Sequence, residues 1–255
     1  MTAIAAAIAP DPAPIEFNPL SPDFIRDPYP FYHRLRAQAP IYHTPIGFYL
    51  ASRYEDAAAI LRDKRFGKDF DDHIARRFGP KVFDEPVYES VRHWMLVRDP
   101  PDHTRLRGLV TKAFTARTVE DMRPRIQQIV DVTLDRVAAK GHMDVMREFA
   151  YQLPVTVICE MLGIPEEDHA MFLENAGQGG RLLDPVPLSR AELDSANEAH
   201  LAQAAYFKRL FELRRREPGD DLTTQLVQAE EEGSKLSEAE LTANIMLLFG
   251  AGHET

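Results

Sequence analysis

Ile245-Met246-Leu247-Leu248-Phe249 is a run of five large apolar residues near the C-terminal end of a 255-residue chain. Just ahead of it, Ser237-Glu238-Ala239-Glu240 is a capping box, in which serine and acid each satisfy a free backbone N–H. The run therefore belongs to a helix over residues 238–255. A helix apolar on every side has to be enclosed by other elements. The sequence stops where this helix stops, so we expect part of a larger domain, cut in that helix.

The rest of the chain supplies helices to enclose it. Ser52-Arg53-Tyr54-Glu55 and Ser189-Arg190-Ala191-Glu192 are two more capping boxes, opening helices over 55–62 and from 190 to near Pro218. Pro100-Pro101 opens a helix to about residue 116, and another spans 118–139. Residues 148–162 form a helix that Gly163 and Pro165 close, followed by short helices over 165–175 and 222–231. Nine of the 19 prolines fall in the first 45 residues, so that stretch is mostly extended, with one short helix over 31–39. Residues 41–43 and 48–50 read as a β-hairpin, and 142–145 as a candidate strand. Residues 66–98 read as a long loop with some helical turns, and a glycine- and proline-rich loop carries Gly177, Gly179, Gly180, Pro185 and Pro187. The fold class is mainly α with a small β-hairpin region. Residues 1–15 read as a disordered tail, because the alanine-rich start lacks the basic segment of a signal peptide.

Composition removes several function classes. One cysteine cannot make an internal disulfide or a cysteine-based zinc site. A net charge of −10 argues against a general nucleic-acid binder. No apolar run is long enough to span a bilayer, and the cytoplasm is the expected location.

Several constellations could carry chemistry. His103 and Arg107 stand four apart, on one helix face, where a single N–H donor and a planar fork suit a ligand with two carboxylates. A solvated helix face is the alternative. Gly250-Ala251-Gly252 places two costly glycines in the last helix, as a close approach to something flat and large or as a plain helix end. Thr255 could return its hydroxyl to the carbonyl of Ala251, and Glu254 beside it makes a proton-delivery pair. His253-Glu254 is half of a zinc-binding pattern whose second histidine would fall past residue 255. Cys159 lies among Val155, Val157, Ile158 and Leu162 and reads as a small core residue. Residues 98–125 hold seven basic side chains against four acidic ones, either a solvated face or a patch that steers an acidic partner.

Together and in order, these pieces resemble the bacterial soluble cytochrome P450 family, the haem-thiolate monooxygenases. The resemblance rests on Asp27-Pro28-Tyr29-Pro30, on Asp99-Pro100-Pro101-Asp102-His103 with Arg107, on the helix before Gly163-Ile164-Pro165, and on Ala251-Gly252-His253-Glu254-Thr255. It implies the N-terminal part of that fold over residues 16–255. It implies haem as cofactor, with His103 and Arg107 on the propionates, Ala251 and Gly252 letting porphyrin and dioxygen approach, and Glu254 and Thr255 relaying protons. It also implies a small apolar substrate, dioxygen and a ferredoxin-type electron donor. The family's iron ligand is a cysteine in a later glycine-rich loop, so the ligand is expected beyond residue 255 and no metal ligand within it. These 255 residues alone are then expected to be inactive. A truncated, non-catalytic product and a helical binding module without haem are the competing readings.

Overall fold

A computed structural model describes residues 15–45, 47–68, 70–175, 182, 188–229 and 235–255. Most of the expected tail and the loop carrying Gly177, Gly179, Gly180, Pro185 and Pro187 lie outside the described residues. The chain divides into two compact units, Met1–Gly67 and Lys68–Thr255.

In the first unit, Ser21 caps α1 (Pro22–Arg26) by accepting from Phe24 N. Helix α2 (Tyr29–Gln38) follows, then β1 (Ile41–His43) and β2 (Tyr49–Ala51), antiparallel with Ile41 opposite Ala51, and α3 (Tyr54–Arg62). Phe17, Phe24, Phe31 and Phe48 meet edge-on or tilted and form its aromatic centre. The capping box expected at Ser52 does not form. Both the N–H and the hydroxyl of Ser52 go to the Pro40 carbonyl, closing the hairpin, and Arg53 stands at the helix start without a side-chain cap.

The second unit begins with α4 (Phe70–Phe78), a 3-10 turn Pro80–Asp84, α5 (Pro86–Val91) and a 3-10 turn Met95–Val97. Residues 66–98 are therefore largely helical rather than loop. Phe70, Ile74, Val87, Tyr88, Val91 and Val97 bury themselves in one cluster, which holds these short helices down. Next come α6 (Asp102–Ala113), α7 (Ala116–Asp121) and α8 (Arg123–Ala138). The helix expected over 118–139 breaks at Met122, because Pro124 belongs in a first turn and starts α8. Residues 142–144 form no strand, and a π-helical turn Met146–Ala150 precedes α9 (Gln152–Met161).

Helices α10 (His169–Asn175), α11 (Arg190–Arg216), α12 (Leu222–Gln228) and α13 (Glu238–Glu254) complete the chain. The capping boxes at Ser189 and Ser237 both form. Helix α13 is the enclosed one: Ile245, Leu247 and Phe249 are buried, with Met246 and Leu248 partly so. The main core joins it to α9, α10 and α11 through Val155, Cys159, Phe172, Phe207 and Phe211, with the Phe172 ring 5.1 Å from that of Phe249. No described helix is long and apolar enough to cross a membrane.

Candidate functional site

Two helices carry the candidate residues. Helix α6 turns Leu106, Leu109, Val110 and Ala113 into the core. A 3.6-residue period puts His103 and Arg107 along one edge of that stripe and Arg105 along the other. Arg105 makes an ion pair with Glu240 in the first turn of α13. Burial pushes the Glu240 carboxyl up, but Arg105 and Ser237 outweigh it and hold the group below its usual range. On the opposite edge, His103 is half-buried and Arg107 exposed. Among the described residues, neither side chain has a hydrogen bond or ion pair. An imidazole N–H and a guanidinium fork left without protein acceptors on one face are a donor set that fits two carboxylates.

Asn244 fixes α13 against the chain leading into α6. It is 1% exposed. Its Oδ1 accepts from Met95 N at 2.8 Å, and its Nδ2 donates to His93 O at 2.9 Å. Sequence reasoning passed over this residue. Its signal was a lone amide four residues after an acid inside an otherwise apolar helix.

Beyond Phe249, α13 emerges from the core, and Gly250, Ala251, Gly252 and Thr255 are exposed. Thr255 Oγ1 donates to Ala251 O at 2.5 Å, the expected return bond. Gly252 does a second job. A β-carbon there would lie 3.3 Å from Ile158, so its small size lets α13 approach α9, while Gly250 and Ala251 leave the open side small. Glu254 ends the helix, and its side chain lies outside the described atoms. His253 turns inward, 8% exposed, with its ring 4.7 Å from that of Tyr151. It packs as a core histidine.

Cys159 has no exposed surface, and burial, with Glu160 adding, pushes its thiol up to about 12. A metal ligand must be a thiolate, so Cys159 is unsuited to that role. Part of the basic excess of residues 98–125 is met by acids from elsewhere in the chain. Asp71 meets Arg98 at 3.3 Å, Glu160 meets Arg125 at 2.6 Å, and Glu240 meets Arg105.

The sequence matches the family model of Cytochrome P450 over residues 48–255. It is 39% identical over 239 residues to Cytochrome P450 107B1 of Saccharopolyspora erythraea, covering 91% of this chain and 57% of that protein. It is 38% identical to Cytochrome P450 monooxygenase PikC of Streptomyces venezuelae, covering 96% and 57%. Among solved structures, P450BioI in complex with hexadec-9Z-enoic acid ligated acyl carrier protein superposes with a TM-score of 0.79 at 34% identity, covering 91% of this chain and 59% of that one. The chain thus spans somewhat over half the length of its relatives, with the matched region running to its last residue. The chain belongs to the cytochrome P450 family.

Proposed function

We propose that the whole protein is a haem-dependent monooxygenase acting on a small apolar molecule, with dioxygen and electrons from a ferredoxin-type donor. The observations that support this reading are the unpartnered His103–Arg107 pair on one edge of α6 and, separately, the small, exposed residues at the end of α13. Haem, when bound, supplies the activation of dioxygen. The residues of this chain bind, orient and handle protons. His103 and Arg107 hold the two propionates, and Ala251 with Gly250 and Gly252 keeps the facing helix surface low. The Thr255 hydroxyl spends its proton on Ala251 O, so its lone pairs stay free to accept a proton donor at the open face. Glu254 is the acid of the same proton relay. The iron ligand is a cysteine outside residues 1–255, since the single cysteine here is the buried Cys159. The acyl chain in the P450BioI complex supports an apolar substrate class.

The test is haem content in the full-length protein. We expect the His103→Leu/Arg107→Leu double variant to fold and to lose haem at least tenfold more readily, since two charge-assisted hydrogen bonds are each worth about 1.5–3 kcal/mol. Haem retained as in the parent protein would overturn the assignment.

A further inference from the structure

Asn244 is buried in α13, one turn after Glu240, and its amide is almost fully used. Beside the bonds to Met95 N and His93 O, its Nδ2 donates to Glu240 O at 2.8 Å. A primary amide supplies an acceptor and two donors at a single point. An apolar side chain supplies neither, and a carboxylate supplies no donor. Met95 opens the 3-10 turn Met95–Val97, where a backbone N–H finds no acceptor within the turn itself. Asn244 Oδ1 therefore caps this turn from a helix 149 positions away.

Between the turn and α6 the chain has little slack. Val97 is buried in the smaller core cluster, Asp99 Oδ2 accepts from Lys68 N at 2.8 Å, and prolines of fixed φ stand at 100 and 101. Arg98 reaches Asp102 in the first turn of α6 at 3.5 Å, and His103 N donates to Asp99 O at 3.1 Å. The position of residues 93–95 is thus passed on to the start of α6. The apolar contacts of Leu106, Leu109 and Val110 hold α6 down, but such contacts are non-directional. The Arg105–Glu240 pair holds α6 along one edge, and a helix held at one edge can roll about that point. His103 and Arg107 lie along the other edge, which a roll displaces.

We propose that Asn244 is a positioning residue for the haem site. By clamping residues 93–95 to α13 it supplies the second point of attachment, fixes the roll of α6 and so sets where His103 and Arg107 present their donors. Asn244 acts through these two residues, without a bond to either. The proposal rests on their assignment to the propionates.

The experiment is a mutant cycle in the full-length protein. It is read by the rate at which haem passes to an excess of a haem-scavenging apoprotein and by the propionate-bending bands of the resonance Raman spectrum. Asn244→Leu is expected to lose haem about fivefold faster than the parent and to shift the propionate bands. In the His103→Leu/Arg107→Leu background the same substitution is expected to change the rate by less than about twofold, because the groups that it positions are gone. Asn244→Gln keeps the amide one methylene further out, and it is expected to fold and to fall between the parent and Asn244→Leu in both readouts. Ser189→Ala, which removes a cap from α11, is expected to leave both readouts unchanged. Equal acceleration with and without His103 and Arg107 would make Asn244 a residue of general stability and overturn the proposal. Parent-like bands and haem retention in Asn244→Leu would overturn it as well. Parent-like retention in His103→Leu/Arg107→Leu overturns the propionate assignment and this proposal with it, whereas an additive cycle overturns this proposal alone.

Discussion

At Gly163 the backbone takes φ of 69°, a region where a β-carbon costs about 1–2 kcal/mol. The space is closed as well: a β-carbon there would lie 2.4 Å from Asp221 Oδ2 and 2.8 Å from its Cβ. Asp221 cannot step aside. Its Oδ1 caps α12 by accepting from Thr224 N at 2.7 Å, and its Oδ2 lies 2.6 Å from Arg214 Nε. The side chains of that pair are only 7% and 19% exposed, so pulling them apart leaves charges with little water. Arg214 in turn donates to the Gly163 carbonyl at 3.0 Å. Gly163→Ala is therefore expected to destabilise the second unit by more than about 3 kcal/mol, the sum of backbone strain and a broken buried pair. Urea unfolding followed by circular dichroism measures it, and a shift below about 1 kcal/mol would show that the carboxylate can move after all. A glycine and a proline two residues on said in sequence that a helix ended here. They could not say that an aspartate 58 positions later would occupy the missing side chain's place.

At the expected helix starts, the pattern Ser-x-x-Glu occurs at 52, 189 and 237 and does the same thing only twice. Ser189→Ala and Ser237→Ala each remove a cap that accepts a backbone N–H, with an expected loss of about 1 kcal/mol. Ser52→Ala leaves the start of α3 as it is and loses only a hydroxyl bond to Pro40 O. Thermal melts of the three variants should rank the first two below the third, and equal losses would defeat the distinction. Capping boxes, proline starts and glycine stops are local, which is why α9, α11, α12 and α13 were legible in sequence. The short helices of residues 70–97 were not, because their support is distant: Val87 N donates to Asn197 Oδ1, and Glu85 meets Arg190. The same division holds at the site, where the spacing of His103 and Arg107 was readable but Asn244, which ties α13 to residues 93–95, was not. The Arg105–Glu240 pair joins α6 to α13 in a way that pH can test. Glu240 is held below its ordinary value in the folded chain. Its contribution is thus complete above the unfolded value of about 4.3 and disappears as pH falls through the folded value. Glu240→Gln keeps the capping box but not the charge. The melting temperature of the parent should exceed that of the variant at pH 7, and the gap should shrink as the pH falls below the ordinary value of Glu240 and through its folded one. A gap that does not shrink with acid would assign it to packing.

Over the whole molecule, charge is the property that sequence order distorts most. Residues 98–125 look positive in a chain of net charge −10 because their counter-charges are far away along it. Asp71 precedes Arg98 by 27 positions, Glu160 follows Arg125 by 35, and Glu240 follows Arg105 by 135. Folding brings all three into contact, while Arg117 and Arg123 pair locally with Asp121 and Glu120. The field that a partner meets depends on the summed charges of the surface, and three arginines of this segment face acids from elsewhere in the chain. Exposed local pairs of this kind contribute little to stability, so the two arginines can be neutralised without harming the fold. In the full-length protein, Arg117→Gln/Arg123→Gln is therefore expected to change the affinity for a ferredoxin-type donor by less than about twofold and to leave the slope of log affinity against log salt unaltered. Titrating the donor at several salt concentrations measures both quantities. A tenfold loss, with a shallower slope, would show that these two arginines act as free charges toward the partner despite their neighbours.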